Sequence, residues 1–331
     1  MGRRTPYSMV LATVVLALAV ADILWGGNAG CDAFIITRIR LPRVLVALIS
    51  GAGLALSGLQ MQSVFRNPLA DPHIMGVSAG AGLGAATALL LGSAGAAGLT
   101  SAGAAVTGGM TLAAAAFLGA AMSAALVMAV STKAKSTSTL LIFGIMLGFI
   151  INAIVAILQF SSNSESLKAY YSWAAGSFSN CSWGQVITMS CCLAAGLILA
   201  ASNIRGLNII LFGDEYAELS GAKTKRIRLS AMAACCLMTA AVTAFCGPLG
   251  FVGIVAPHIA RRISGRKFCS DHSKTIPTSM LAGAGLCITA DLASQLWSRL
   301  VSPIPVGSCL AIIGIPLIFI ILIGGNNNDI N

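Results

Sequence analysis

Between Asp71 and Lys133 the chain carries no Asp, Glu, Lys or Arg. A stretch of that length without charge cannot face water. One bilayer crossing uses only about 20 apolar residues, so the interval holds more than one crossing. The whole chain agrees. Of 331 residues, 57% are hydrophobic and 9% charged, with a mean hydropathy of +0.89, which leaves too little polar surface for a soluble domain. The sequence is that of an all-α, polytopic membrane protein, one transmembrane domain over residues 1–331.

Hydropathy and charge mark ten segments: 9–24, 44–65, 77–99, 102–130, 140–160, 186–201, 229–245, 249–263, 280–296 and 306–323. The glycine-broken third and the short eighth read equally as full crossings or as re-entrant half-helices. With ten crossings and both termini cytoplasmic, Arg38, Arg40, Arg43, Lys168 and Arg299 fall outside and the other fifteen of the 20 Lys and Arg fall inside. That three-to-one bias satisfies the positive-inside rule, and it places the chain in the cell (inner) membrane among lipid. The net charge of +10 is therefore topological and implies no nucleic-acid partner. The basic, apolar start followed by "NAGC" also has the outline of a signal peptide. We expect an uncleaved first helix, because the parity of the loops needs Arg3 and Arg4 inside.

Several function classes fail on residue chemistry. The ten cysteines lack C-x-x-C spacing and sit mostly in apolar segments, where they act as small hydrophobes. Cys31 and Cys181 share the expected outer side, where a disulfide is conceivable. Three scattered histidines offer no metal site, and no nucleophile–base constellation stands out, so neither catalytic residues nor a cofactor are expected. "SGAKTK" lacks the G-K-[ST] core of a phosphate loop, so any ATP chemistry belongs to a partner.

Two polar islands interrupt the apolar run, and both fall on the cytoplasmic side. In "FRNPLADPHIMGVSAGAGLGA" the prolines break the helix, while Asn67 and Asp71 are placed to accept the freed amides. A rigid inner turn leading into a glycine-rich segment suits the lining of a pathway. In "LFGDEYAELSGAKTKRIR" we expect a short helix capped by Asp214, with Glu215 in its first turn and Gly221 as a left-handed C-cap. Tyr216 and Leu219 share one face of it. So short a helix needs something to pack on, and presentation to a soluble partner accounts for it better than a plain loop.

The blocks "RIRLPRVLVALISGAGLALSGLQMQSVFRNPLADPHIMGVSAGAGLG", "GDEYAELSGAKTKRIRL", "GPLGFVGIVAPHIARR" and "PVGSCLAIIGIPLIFIIL", in this order over residues 38–322, resemble the FecCD-type permeases. These are the inner-membrane subunits of ABC importers for iron-siderophores, haem and cobalamin. The resemblance implies a ten-helix permease of the type II importer kind, paired with a second copy or a paralogue around a central pathway. It implies two cytoplasmic ATP-binding cassette subunits below and a substrate-binding protein docking outside. It implies that Gly213, Asp214, Glu215, Tyr216, Ala217, Glu218, Leu219 and Gly221 form the coupling helix seated on the ATPase. Thr137 and Ser138 match gate positions, Asn67 and Pro68 belong to the inner turn beside the pathway, and Arg40 and Arg43 match exposed positions that pair with the binding protein.

The chain departs from the family at Gln295, where an arginine is usual, and in "PIPVG" where "ELPVG" is usual. Arg299, about one helical turn later, is the candidate to serve in place of the missing arginine on the docking face. The resulting expectation is alternating access driven by ATP binding below. The rival is a carrier run by an ion gradient with Asp291 as its titrating acid.

Overall fold

The computed structural model describes residues 6–25, 32–91, 104–133, 137–179, 181–264, 271–298 and 304–325. All regular structure among them is helical. Helix α1 spans Pro6–Trp25 and α2 spans Ala33–Phe65, with a π-helical turn over Ile36–Arg40. A 3-10 turn, Pro72–Met75, leads into α3, Val77–Ala86. Then come α4 (Ala104–Lys133), α5 (Thr137–Phe160), α6 (Ser164–Ala174) and α7 (Trp183–Ser202). The remainder is α8 (Ile204–Ile210), α9 (Asp214–Leu219), α10 (Thr224–Cys246), α11 (Val252–Ser264), α12 (His272–Ser298) and α13 (Val306–Gly325).

Each of the ten expected segments overlaps a helix among the described residues. Six of them, α2, α4, α5, α7, α10 and α12, are long and apolar enough to cross a membrane. Ser8–Leu24, Val77–Leu90 and Val306–Ile320 are shorter apolar helices, and α11 has 13 residues. The far part of the third segment, residues 92–99, lies outside the described residues.

Helix α2 is the axis of the subunit. In its apolar window 78% of the residues are buried, against 22% in α5 and 28% in α7, which turn most of their surface outward. Helices α12, α10, α11 and α7 pack around it. Lipid offers no hydrophobic drive to hold apolar helices together, so close backbone approach supplies the contact energy. The sequence meets that need with glycine. A Cβ on Gly51 of α2 would overlap the Gly283 carbonyl of α12, and a Cβ on Gly283 would overlap that of Gly51. Gly80 of α3 and Gly119 of α4 stand in the same reciprocal relation. Helices α2 and α12 run antiparallel: Arg43 meets Asp291 near one end, and Ser63 Oγ meets His272 Nε2 at 2.6 Å near the other.

Candidate functional site

Helix α2 closes on Arg66, which adopts the left-handed conformation (φ 48), and the Asn67 amide then donates to the Gln62 carbonyl. Beyond it, Asn67 Oδ1 accepts from the Leu69 amide at 2.9 Å and Asp71 Oδ1 from the His73 amide at 2.8 Å, as expected of a proline-broken turn. Gly76 (φ 72) ends the 3-10 turn and opens α3.

His73 is held from both ring nitrogens, by Ser78 Oγ and by the Leu249 carbonyl at 2.8 Å. It lines a cavity of about 390 Å³ between α3, α5 and α6, with Gly144, Asn152, Tyr170 and Trp173 on the walls. Trp173 Nε1 is buried there without an acceptor among the described residues. The walls carry hydroxyl, amide and indole groups but no Asp, Glu, Lys or Arg.

The second island forms α9, with one correction. Asp214 is the first helical residue and makes no side-chain cap. Gly213 holds the cap position with φ 114, a conformation open to glycine alone, so the Asp214 carboxylate turns sideways to pair with Arg66 at 3.4 Å and with Arg228. Gly221 (φ 79) closes the helix as expected: its amide donates to Glu218 and that of Ala222 to Ala217, both at 2.9 Å. Glu218 accepts from Thr224 Oγ1 at 3.0 Å, and Ala217 is buried. Tyr216 and Leu219 face out, Leu219 at 89% exposure, and the Phe212 ring stands 5.7 Å from that of Tyr216. Helix α9 is thus fixed from behind and apolar in front.

The gate and turn residues line separate cavities. Thr137, at the start of α5, lines one of about 650 Å³ with Lys133, Asp214, Glu218 and Arg228, and Ser138 beside it is exposed. Asn67 and Pro68 line another of about 300 Å³ with Gln62, Arg66, Arg261 and His272.

The far end overturns an expectation. Arg40 and Arg43 are not exposed rim charges. Arg40 is 5% exposed, and its Nη1 donates to the carbonyls of Ile23 (2.8 Å) and Leu24 (3.3 Å), which α1 leaves unpaired at its C-terminus. Arg43 grips Asp291 in a bidentate pair, Nε to Oδ2 at 2.8 Å and Nη2 to Oδ1 at 2.6 Å, with Asp291 fully buried. Their proximity to apolar segment ends leaves both guanidiniums nearer to inward partners than to water. Gln295 Nε2 bridges Asp291 Oδ2 (3.0 Å) and Asp22 Oδ1 (2.6 Å). Arg299 lies outside the described residues, as does Cys31; Cys181 is a free thiol. Sequence reasoning missed Asp22, although a lone acid inside an apolar run is a signal in its own right.

The FecCD transport family matches residues 6–324. This chain belongs to it. Among its relatives are the cobalamin import permease BtuC of Halobacterium salinarum and the hemin transport permease HmuU of Yersinia pestis. The first is 33% identical over 93% of this chain and 78% of its own length, the second 30% identical over 93% and 92%. A solved structure described as a metal-chelate type ABC transporter, in an inward-facing conformation, superposes with a TM-score of 0.83 at 29% identity, over 96% of this chain and 98% of its own. As a FecCD permease the chain is a transporter subunit and not an enzyme, and ATP hydrolysis belongs to a separate ATPase.

Proposed function

We propose that this permease carries a metal chelate of the iron-siderophore, haem or cobalamin kind into the cytoplasm. In this reading ten helices cross, both termini are cytoplasmic, and two permeases enclose the pathway. ATPase subunits seat on α9, and a binding protein delivers the chelate from outside. The observation that carries the reading is the construction of α9. Its back is locked by the pairs of Asp214 and by buried Ala217, while Phe212, Tyr216 and Leu219 are presented without cover. An exposed apolar face on a braced helix is what a lever needs, because a push on it moves the elements behind.

The neutral, hydroxyl- and amide-lined cavity beside His73 supports passage of a large polar cargo by weak contacts. The binding protein, and not this wall, then selects the chelate. The ion-gradient rival loses support, since both Asp291 oxygens are engaged and no part of that side chain meets solvent. The test is uptake by proteoliposomes holding the permease, the ATPase and the binding protein. Leu219→Asp is expected to leave insertion and thermal stability unchanged and to abolish ATP-driven uptake. Normal transport by this variant, or uptake that follows a proton gradient and ignores internal ATP, overturns the reading.

A further inference from the structure

The cluster at the far end of α2 has an unbalanced charge. Asp22 is 1% exposed and Asp291 is fully buried, and their carboxyls lie against one another across the Gln295 amide. Arg43 is the one cation paired with them among the described residues, and both of its bonds go to Asp291. Asp22 receives a single neutral donor, Gln295 Nε2, and its Oδ2 is buried with no partner among the described residues. An ionised carboxylate cannot be left so. Burying a charge without a counter-ion costs far more than binding a proton, and two adjoining carboxylates served by one guanidinium settle by sharing one.

We infer that Asp22 is a proton-binding site, its buried carboxyl held as the neutral acid beside the Arg43–Asp291 pair, with the proton on the Oδ2 that has no partner among the described residues. The ligand is a hydrated proton from the solvent, whose uptake converts the carboxylate to the acid and leaves water behind. The arrangement ties α1 to the α2–α12 pair, because Asp22 stands on α1, Arg43 on α2, and Asp291 and Gln295 on α12. A cavity of about 380 Å³ lined by Arg43, Gln295, Ser177, Ser294 and Ser298 adjoins the cluster, while Asp22 and Asp291 stay outside its lining.

The other titratable neighbours do not supply the missing charge. Cys287 and Cys309 are thiols beside Asp291, and Cys181 packs into the same cluster. Arg40 holds the α1 carbonyls. Helix α11 meets α1 in the cluster of Leu11, Ala256 and Ile259. Its own ionisable groups are engaged elsewhere or face outward: His258 Nδ1 donates to the Ile254 carbonyl, Arg261 donates to Gln62 Oε1, and Arg262 is exposed.

The experiment is infrared spectroscopy of the full chain in lipid nanodiscs at neutral pH, reading the carbonyl stretch of protonated carboxyl groups, which is separate from the carboxylate bands. The wild type is expected to show such a band. Asp22→Asn, which keeps the shape and neutrality of the acid, should lose it while retaining thermal stability. Gln295→Arg, which brings a second guanidinium, should also lose it by releasing the proton. A wild type without the band would mean that a cation from outside the described residues neutralises Asp22, and a band that persists in Asp22→Asn would place the proton elsewhere. Either result overturns the assignment. If Gln295→Arg does not fold, the wild type and Asp22→Asn decide alone.

Discussion

Arg66 Nη2 lies 3.4 Å from Asp214 Oδ2, joining the turn that ends α2 to the exposed helix α9 across 148 positions of sequence. The two polar islands of the chain are therefore joined at Arg66 and Asp214. The pair is partly solvated, with side chains 41% and 34% exposed, and such pairs contribute at most about 1 kcal/mol. Arg66→Ala is accordingly expected to change thermal stability little. Asp214→Ala should cost more, because it also removes the partner of Arg228, whose side chain is 17% exposed and whose Nε has no acceptor among the described residues. Thermal unfolding of the two variants in the same detergent compares them, and equal losses would mean that Arg228 gains nothing from Asp214.

The contact between Gly51 and Gly283 predicts a steep response to a single methyl group. In Gly51→Ala the new Cβ meets backbone, which cannot rotate away, so α2 and α12 must separate. Overpacking of this kind costs about 1–3 kcal/mol. Gly148→Ala, with nothing within 4 Å of its Cβ, is the control and should be near neutral. Gly51→Ala with Gly283→Ala should cost less than the sum of the single changes, because the helices part once. Folded yield and melting temperature check all four proteins, and a Gly51→Ala variant as stable as Gly148→Ala would refute the close approach.

Which segments become helices was readable because an apolar chain in lipid has to satisfy its backbone internally, and helix is the form that does so segment by segment. The inner turn and α9 were readable for a different reason: proline, glycine, Asn67 and Asp71 have local chemistry that needs no knowledge of neighbours. The aim of a long cation was not. Arg40 and Arg43 sit in a loop-proximal, charge-rich stretch that reads as exposed, yet each reaches a partner on another helix, and only packing decides between water and those partners. Asp214 shows the same limit on a smaller scale, since Gly213 took the cap and freed the carboxylate for Arg66 and Arg228.

The start of α12 predicts a local response to acid. Asp271 Oδ1 accepts from Ser273 Oγ at 2.7 Å and from the Ser273 amide at 3.1 Å, capping the helix. The Ser273 hydroxyl bond, aided by the Ser273 amide and by Lys274, holds this carboxyl below its ordinary range. A carboxyl lowered in the folded state stabilises it above the unfolded pKa, and that contribution fades as pH falls through the folded one. Protection from amide exchange over the first turn of α12, taken relative to the intrinsic rate at each pH, should therefore fall on acidification below pH about 4. Asp271→Ala should show the lower protection already at neutral pH, with little further change in acid. A wild-type first turn that stays protected through this range would leave the cap without a role.

The bidentate pair of Arg43 and Asp291 separates a structural cation from a docking one. Were Arg43 an exposed rim charge, reversing it would slow encounter with a binding protein at low salt and leave the fold alone. Half-buried and paired with the fully buried Asp291, it has a different consequence. Arg43→Ala leaves an acid at 0% exposure without its cation, a change that costs about 3–5 kcal/mol, and Arg43→Glu adds a third acid to the same cluster. Both variants should lose folded protein at every ionic strength, and no charge reversal on a partner should restore them. Arg43→Ala combined with Asp291→Asn should recover part of the loss, because the buried group is then neutral. Folded yield and thermal unfolding at low and high salt give the answer. A well-folded Arg43→Glu, defective only in salt-sensitive docking, would return Arg43 to the outer surface.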